Sequence, residues 1–267
     1  MSNVRPAAVA GMFYPDNAEA LAQDVDGLLN DAESRMSGLV PKALIVPHAG
    51  YIYSGPIAAS AYALLKPLAA TIRRVVLLGP THRVAVRGLA LPGTDAFASP
   101  LGIVNIDQDA VRKIAQLPQV TISPQAHSLE HSLEVHLPFL QTVLSDFTLL
   151  PLAVGMASAD EVAEVLETLW GGPETLIVIS SDLSHYLPYD VANAADRTTA
   201  LTILRLEENV THQQACGGTP VNGLIVAARH HGMKPHLLDL RNSGDTAGDK
   251  SRVVGYGAFA FTEADHD

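Results

Sequence analysis

The sequence predicts an α/β fold: a single layered domain with a mostly parallel or mixed central sheet and helices on both faces. Short apolar runs rich in β-branched residues, bounded by Pro, Gly and Ser, occur at 43–47, 75–79, 176–179 and 237–240. Segments with apolar residues at helical spacing separate them, and this alternation is typical of a sheet covered by helices. A length of 267 residues without repeats or a low-complexity linker fits one domain over 1–267.

The elements follow from local signals along the chain. An apolar loop over 5–15 packs on the body, and a helix over 17–34 begins at the capping pair Asp16 and Asn17. Pro56 fits the first turn of a second helix over 56–66, where its missing N–H costs little. Periodicity predicts further helices at 107–117, 132–145, 158–169, 190–206 and 220–231, and further strands at 148–154 and 252–260.

Composition excludes several classes of protein. The formal charge of −11 argues against a nucleic-acid or anionic-membrane partner, since both require clustered Lys and Arg. No apolar run approaches the roughly 20 residues that span a bilayer, and the first residues lack the apolar stretch of a signal peptide. The single cysteine, Cys216, excludes an internal disulfide framework and fits a reducing compartment. We therefore expect a cytoplasmic protein.

Polar residues follow three of the predicted strands. His48 follows the first strand, His82 follows the second after a Pro-Thr turn, and Asp182 and His185 follow the third. Open sheets bind ligands beyond the carboxyl ends of their strands, so these side chains are expected on one rim. One histidine in a turn is readily explained by packing, but two at adjacent strand ends indicate a metal or proton-transfer site. Asp182 and His185, three apart, share a face if a helical turn begins there; otherwise Asp182 caps the turn and His185 is exposed.

Two further segments carry titratable groups. Residues 126–136 are dense in His and Glu but lack the order of an H-E-x-x-H zinc motif, so we expect them to support the site or to pair among themselves. The loop 242–249 is either a simple Gly-Asn-Asp turn or the source of a carboxylate ligand, Asp245. Cys216 precedes a helix. It is interpreted equally well as a thiol with a lowered pKa or as a small buried residue at a tight turn, and we assign it no ligand role.

Taken together, several segments resemble the MEMO family, whose bacterial and archaeal members are called AmmeMemoRadiSam system protein B. The matching pieces run in order along nearly the whole chain: 5–7, 11–15, 46–51, 79–82, 130–138, 180–185 and 216–218. The fold of that family is similar to that of the class III extradiol dioxygenases (LigB-like), which hold Fe(II) with two His and a carboxylate.

The resemblance implies a set of site residues. His48 and His82 match the first two metal ligands, and Asp182 and His185 match catalytic positions, with His185 as the acid/base. The human member uses a cysteine near the last strand as third ligand, and Asp245 or Thr246 stands at that position here. Asp245 would restore a two-His-one-carboxylate set, with Asp249 as the alternative. The residues expected to support the site or line a substrate cleft are Tyr51, His131, Glu134 and His136.

The resulting expectation is a non-haem Fe(II) redox enzyme acting on an unidentified small molecule, with Zn or Cu as alternative metals. A non-catalytic metal-binding or adaptor protein, working with AMMECR-type and radical SAM proteins, is the first alternative. A zinc-dependent hydrolase using the same histidines is the second.

Overall fold

The computed structural model describes residues 3–33 and 38–263; the last residue of the predicted helix 17–34 lies outside them. The described strands are β1 Val4–Arg5, β2 Pro41–Val46, β3 Arg74–Pro80, β4 Leu89–Leu91, β5 Ala96–Ser99, β6 Gly102–Asn105, β7 Val120–Ile122, β8 Thr148–Val154, β9 Thr175–Ser180, β10 His185–Leu187, β11 Lys234–Asn242 and β12 Val253–Thr262. The described α-helices are α1 Ala18–Glu33, α2 Tyr51–Tyr62, α3 Gln108–Ile114, α4 Pro124–Ser128, α5 Leu137–Val143, α6 Ala159–Leu169, α7 Tyr189–Leu204 and α8 Gly218–His230.

The main sheet is mixed, with a parallel centre. Within the described ranges its order is β10-β12-β2-β9-β3-β8-β4-β7, and β11 pairs with β12 beside this path. Strands β2, β9, β3 and β8 run parallel, whereas β12 is antiparallel to β2, β10 and β11. Strands β1, β5 and β6 form a small separate sheet. This arrangement confirms the predicted fold class.

Two apolar layers cover the two faces of the sheet. In β2, Leu44 and Val46 contribute to one layer, and Ala43 and Ile45 contribute to the other. Such alternation follows from the period of two along a strand, and it explains why the central strands are largely apolar on both faces. The first layer contains residues of α1, α2 and α5, and the second contains residues of α6 and α8. The expectation of helices on both faces is therefore confirmed.

Two helices differ from their predicted bounds. The second begins at Tyr51, whose N–H donates to the Phe13 carbonyl oxygen, so Pro56 falls inside the helix and not in its first turn. The predicted helix 132–145 is divided into a 3-10 turn over 134–136 and α5, which starts at Leu137. Pro138 at the start of α5 has no N–H to donate, which suits a new first turn better than a helix interior.

Glu134 anchors the segment before α1. Its buried carboxylate pairs with the guanidinium of Arg5 and accepts hydrogen bonds from the Tyr14 hydroxyl at 2.5 Å and from the backbone N–H groups of Ala8 and Val9. Hydrogen bonds from several donors compensate the cost of burying this charge. The predicted packing of the N-terminal loop on the body thus depends on one carboxylate.

The parallel strands carry their carboxyl ends to one edge of the sheet. Val46, the last residue of β2, is in register with Ser180, the last residue of β9. Strand β3 lies on the other side of β9 and ends at Pro80. The loops that follow these strands therefore meet. Within the described ranges, no helix combines the length and apolarity required to cross a bilayer.

Candidate metal centre

Three histidines converge beyond this edge of the sheet. His48 follows β2, His82 follows β3, and His131 lies in the turn after α4. One ring nitrogen of each histidine lies within 4.8 Å of a ring nitrogen of the other two. The rings of His82 and His131 are stacked with centroids 4.6 Å apart, and that of His48 stands edge-on to both. The structure therefore brings the two predicted histidines together and adds His131.

Ser180 fixes the tautomer of His48. The Ser180 hydroxyl donates its single proton to the carbonyl oxygen of Ser132 at 2.6 Å. It must then accept the hydrogen bond from His48 Nδ1, which lies 2.6 Å away. The proton of the neutral imidazole is on Nδ1, and Nε2 carries the lone pair that a metal requires.

Glu130 fixes the tautomer of His82 and lies next to His131. Its Oε1 accepts from Nδ1 of His82 at 2.9 Å and lies 3.3 Å from Nδ1 of His131, while Oε2 accepts the backbone N–H of His82 at 2.6 Å. Burial alone would raise the pKa of this carboxyl, but the hydrogen bonds from His82 outweigh burial and lower it to about 2. A carboxylate behind a histidine is the usual support of a metal site, and the bond to Nδ1 leaves Nε2 of His82 free.

The environment keeps the imidazoles of His48 and His131 neutral. Burial, followed by the neighbouring histidines, holds the pKa of His48 well below its usual range. Burial and His82 lower the pKa of His131 to about 4. Neutral imidazole is the form that binds metal, so His48 and His131 require no deprotonation at neutral pH.

Cys216, to which we assigned no ligand role from its sequence context, lies beside this centre. Its Sγ is 3.4 Å from Nε2 of His48, the nitrogen that Ser180 leaves free. Burial and Asp182 raise the pKa of the thiol to about 12, so the thiol is protonated without a cation. A bound cation reverses this balance, because a coordinating thiol loses its proton.

Asp182 and His185 lie around the same three histidines. Asp182 is buried; its Oδ1 accepts the backbone N–H of His48 at 2.7 Å, and its Oδ2 is 3.9 Å from His48 Nε2. Burial raises the pKa of Asp182 to about 6. His185 begins β10 and donates from Nδ1 to the Leu183 carbonyl oxygen at 2.8 Å, which leaves its Nε2 free. The next residue, Tyr186, has a φ of 60°, so the chain turns sharply after His185.

Asp245 has a different environment from the one expected of the third ligand. It ends the 3-10 turn 243–245, where Oδ1 accepts from the Tyr189 hydroxyl at 2.5 Å and Oδ2 accepts the Asn242 N–H at 3.0 Å. Both oxygens thus have local partners, and Asp245 is not among the three converging residues. The alternative, Asp249, is exposed and bonds to Ser251. The geometry offers His131 in the position that the resemblance gave to Asp245.

The other expected cleft residues lie behind the histidines. Tyr51 donates from its hydroxyl to the Val135 carbonyl oxygen at 2.6 Å, and the Tyr62 hydroxyl lies 2.8 Å from Nδ1 of His136. Tyr51 and His136 are buried, as is Glu134. They hold the 131–136 segment in place.

A cleft of about 480 Å³ opens beside the histidines, with His82 and Cys216 in its wall. A larger cavity of about 690 Å³ lies at the opposite, amino ends of β2 and β9, beside Lys42 and Leu176. The larger cavity contains none of the three converging histidines, so the smaller cleft is the one relevant to the candidate site.

Histidines at strand ends, on a mixed sheet covered by helices, define a candidate metal-binding α/β protein. The chain belongs to the Memo-like protein family, whose model matches residues 5–260. A MEMO1 family protein of Aquifex aeolicus is 38% identical over 265 residues, covering 95% of this chain and 97% of that protein. One from Sulfolobus acidocaldarius is 33% identical over 280 residues, with shares of 95% and 97%.

One solved structure with a similar fold is that of the uncharacterized protein JW3007 from Escherichia coli K12. It superposes with a TM-score of 0.53 at 15% identity and covers 82% of this chain and 98% of that chain. At this identity the likeness concerns the fold alone. The suggested family and the predicted fold class are thus both confirmed.

Proposed function

We propose that this protein is a metal-dependent enzyme, and specifically a non-haem Fe(II) redox enzyme. One observation carries the proposal: three imidazoles converge with a ligand nitrogen of each within 4.8 Å of the others, while Ser180 and Glu130 hold Nδ1 of His48 and His82 from behind. Packing alone gives no reason to support the far side of these two rings in this way.

The residues fit a divalent ion. Ligand atoms within 4.8 Å of one another can reach a single ion at about 2.0–2.1 Å each after small ring rotations. Imidazole suits iron, zinc and copper. Cys216 Sγ, 3.4 Å from His48 Nε2, is positioned as a further ligand. The choice of iron rests on the resemblance to extradiol dioxygenases, as does the partnership with AMMECR-type and radical SAM proteins.

Neighbouring residues have defined roles in this proposal. A bound Fe(II) supplies Lewis acidity and one-electron chemistry. His185 accepts and returns a proton through its free Nε2, because its Nδ1–H is committed to the Leu183 carbonyl oxygen. Asp182 holds the backbone of His48 and places a carboxylate beside that ligand.

A zinc-dependent hydrolase is a second candidate, favoured by His131 standing where a carboxylate was expected. Three histidines form the donor set of some zinc enzymes that activate water. In that case Asp182 or His185 removes a proton from the attacking water.

Metal analysis and titrations with Fe(II) under anaerobic conditions and with Zn(II) test the proposal. Wild-type protein should bind one equivalent; the His48→Ala/His82→Ala variant should bind none, and His131→Ala should bind far more weakly. Asp245→Ala is the matched control and should retain the metal. Metal retained in the double variant would disprove the site, and loss in Asp245→Ala alone would return the third ligand to that residue. Preference for zinc over iron would favour the hydrolase.

A further inference from the structure

The cleft beside the histidines is mainly apolar. Val86, Val154 and Met156 line it, together with the polar side chains of His82, His212 and Cys216. Met156 is 78% exposed, an unusual position for a large apolar side chain, and its flexible thioether can adapt to an apolar ligand. A volume of about 480 Å³ lies in the range of small-molecule sites.

Arg87 is the one Lys, Arg, Asp or Glu side chain among the described lining residues. It is exposed, and within the described ranges its guanidinium has no hydrogen-bond or salt-bridge partner. An uncompensated arginine at an apolar cleft is notable in a chain of net charge −11. A guanidinium presents a planar set of donors that matches a carboxylate in a bidentate pair.

We propose that this cleft binds a small organic carboxylate. The carboxylate pairs with Arg87, and an apolar body lies along Val86, Val154 and Met156 towards His82 and Cys216. This deepens the proposed function by naming the substrate class, and it rests on that function for the presence of metal at the inner end.

A single cation favours a carboxylate over a phosphate ester. A phosphate dianion carries about twice the charge and three acceptor oxygens, and is usually met by several donors. The described lining holds no second Lys or Arg. A bare anion would leave the apolar surface of the cleft in contact with water. A ligand with an apolar body removes that surface from water and therefore binds more favourably.

The test uses Co(II)-loaded protein with 3-phenylpropionate as the probe and its neutral amide, 3-phenylpropionamide, as the matched ligand. Cobalt absorption reports the metal centre, and enhanced proton relaxation of the probe reports binding close to cobalt. We expect the amide to bind at least about tenfold more weakly, because it cannot form the charge-assisted pair. Arg87→Gln should weaken binding of the carboxylate by a similar factor and leave the affinity for the amide unchanged.

Arg205→Gln is the control variant: it removes the same charge from an exposed side chain at the C-terminal end of α7 that does not line the cleft. It should keep the affinity within about threefold, since screening weakens attraction over longer distances. An equal loss of carboxylate affinity in both variants would show that the effect is long-range electrostatic attraction, and this would overturn the proposal. The proposal would also be overturned if the acid and the amide bound equally well. It would be overturned likewise if phenyl phosphate bound more tightly than the carboxylate and depended on Arg87.

Failure of the metal site remains distinguishable. If the protein takes up no cobalt, the proposed function fails, whereas saturation-transfer NMR on the metal-free protein still shows whether Arg87 selects the carboxylate. If cobalt binds normally and the probe does not, the substrate class fails and the metal centre stands.

Discussion

The sulfur of Cys216 lies 3.4 Å from Nε2 of His48, the nitrogen that points away from Ser180. In a tetrahedral site, ligands bound at about 2.0 and 2.3 Å are separated by a similar distance. The distance between the thiol and the imidazole is therefore compatible with both atoms binding one ion.

We expect the Co(II) protein to show a thiolate-to-cobalt charge-transfer band in the near ultraviolet. Cys216→Ser should remove this band and weaken metal binding, because the replacement lacks the thiolate that a cation stabilises. Absorption spectroscopy checks it, with His185→Gln as the comparison. Identical spectra for wild-type and Cys216→Ser protein would show that sulfur is not a ligand.

Glu130 orients His82 and lies next to His131, so Glu130→Gln should weaken metal binding by about 10–100-fold while leaving the fold unchanged. Competition against a chelator of known affinity measures the effect. Glu207→Gln, at an exposed position, makes the same chemical change elsewhere. If the two variants bind metal equally well, Glu130 does not support the ligands.

Glu134→Ala should destabilise the protein by about 3–5 kcal/mol, because the buried Arg5 would lose its carboxylate partner and keep only carbonyl acceptors. Urea denaturation gives the free energy of unfolding, and Glu207→Ala should change it by less than about 0.5 kcal/mol. If Glu134→Ala lowered the free energy of unfolding only slightly, the N-terminal segment would contribute little to the stability of the fold.

Gly217→Ala should affect both stability and metal binding. A Cβ at this position would lie 2.6 Å from the Ser180 carbonyl oxygen and from Ser181 Cβ, so backbone must move beside Cys216. Overpacking of this kind costs about 1–3 kcal/mol. The same substitution at Gly27, where no atom lies within 4 Å of the added Cβ, should be neutral or stabilising. Normal metal affinity in Gly217→Ala would separate Cys216 from the centre.

Asp107 should give the protein an acid-dependent stability term. Burial opposes ionisation, but the Ala110 N–H and the Arg74 guanidinium outweigh it and hold the pKa of Asp107 below its usual 3.8. This contribution is present above the unfolded-state pKa and is lost as the pH falls below about 4. Unfolding free energies measured across that range should fall less steeply with acid in Asp107→Asn. Parallel curves would exclude the contribution.

Strand-end positions made His48 and His82 predictable, because the ends of parallel strands meet wherever the sheet forms. The same rule placed Asp182 and His185 nearby. His131 was noted for its dense surroundings, but its position depends on Glu130 turning back towards the end of β3, which periodicity does not encode. Helix bounds failed where prolines and tertiary bonds, such as Tyr51 N–H to Phe13, decided the first turn.

Cys216 was missed because its place depends on a close backbone approach far along the chain. Gly217 lies directly against the end of β9, and this contact carries the preceding cysteine to His48. A glycine next to a cysteine was visible in the sequence, but its partner strand was not. Asp245 was favoured by loop alignment, whereas Tyr189 and Asn242 hold its carboxylate.

Strand β12 is the last strand described, yet it lies within the sheet, pairing with β2 on one side and with β10 and β11 on the other. During synthesis on the ribosome, that edge of the entirely buried strand β2 therefore stays uncovered until residues 253–262 have been made. An uncovered edge can pair with other chains. Synthesis that stalls before β12 should thus yield an aggregation-prone product dependent on chaperones.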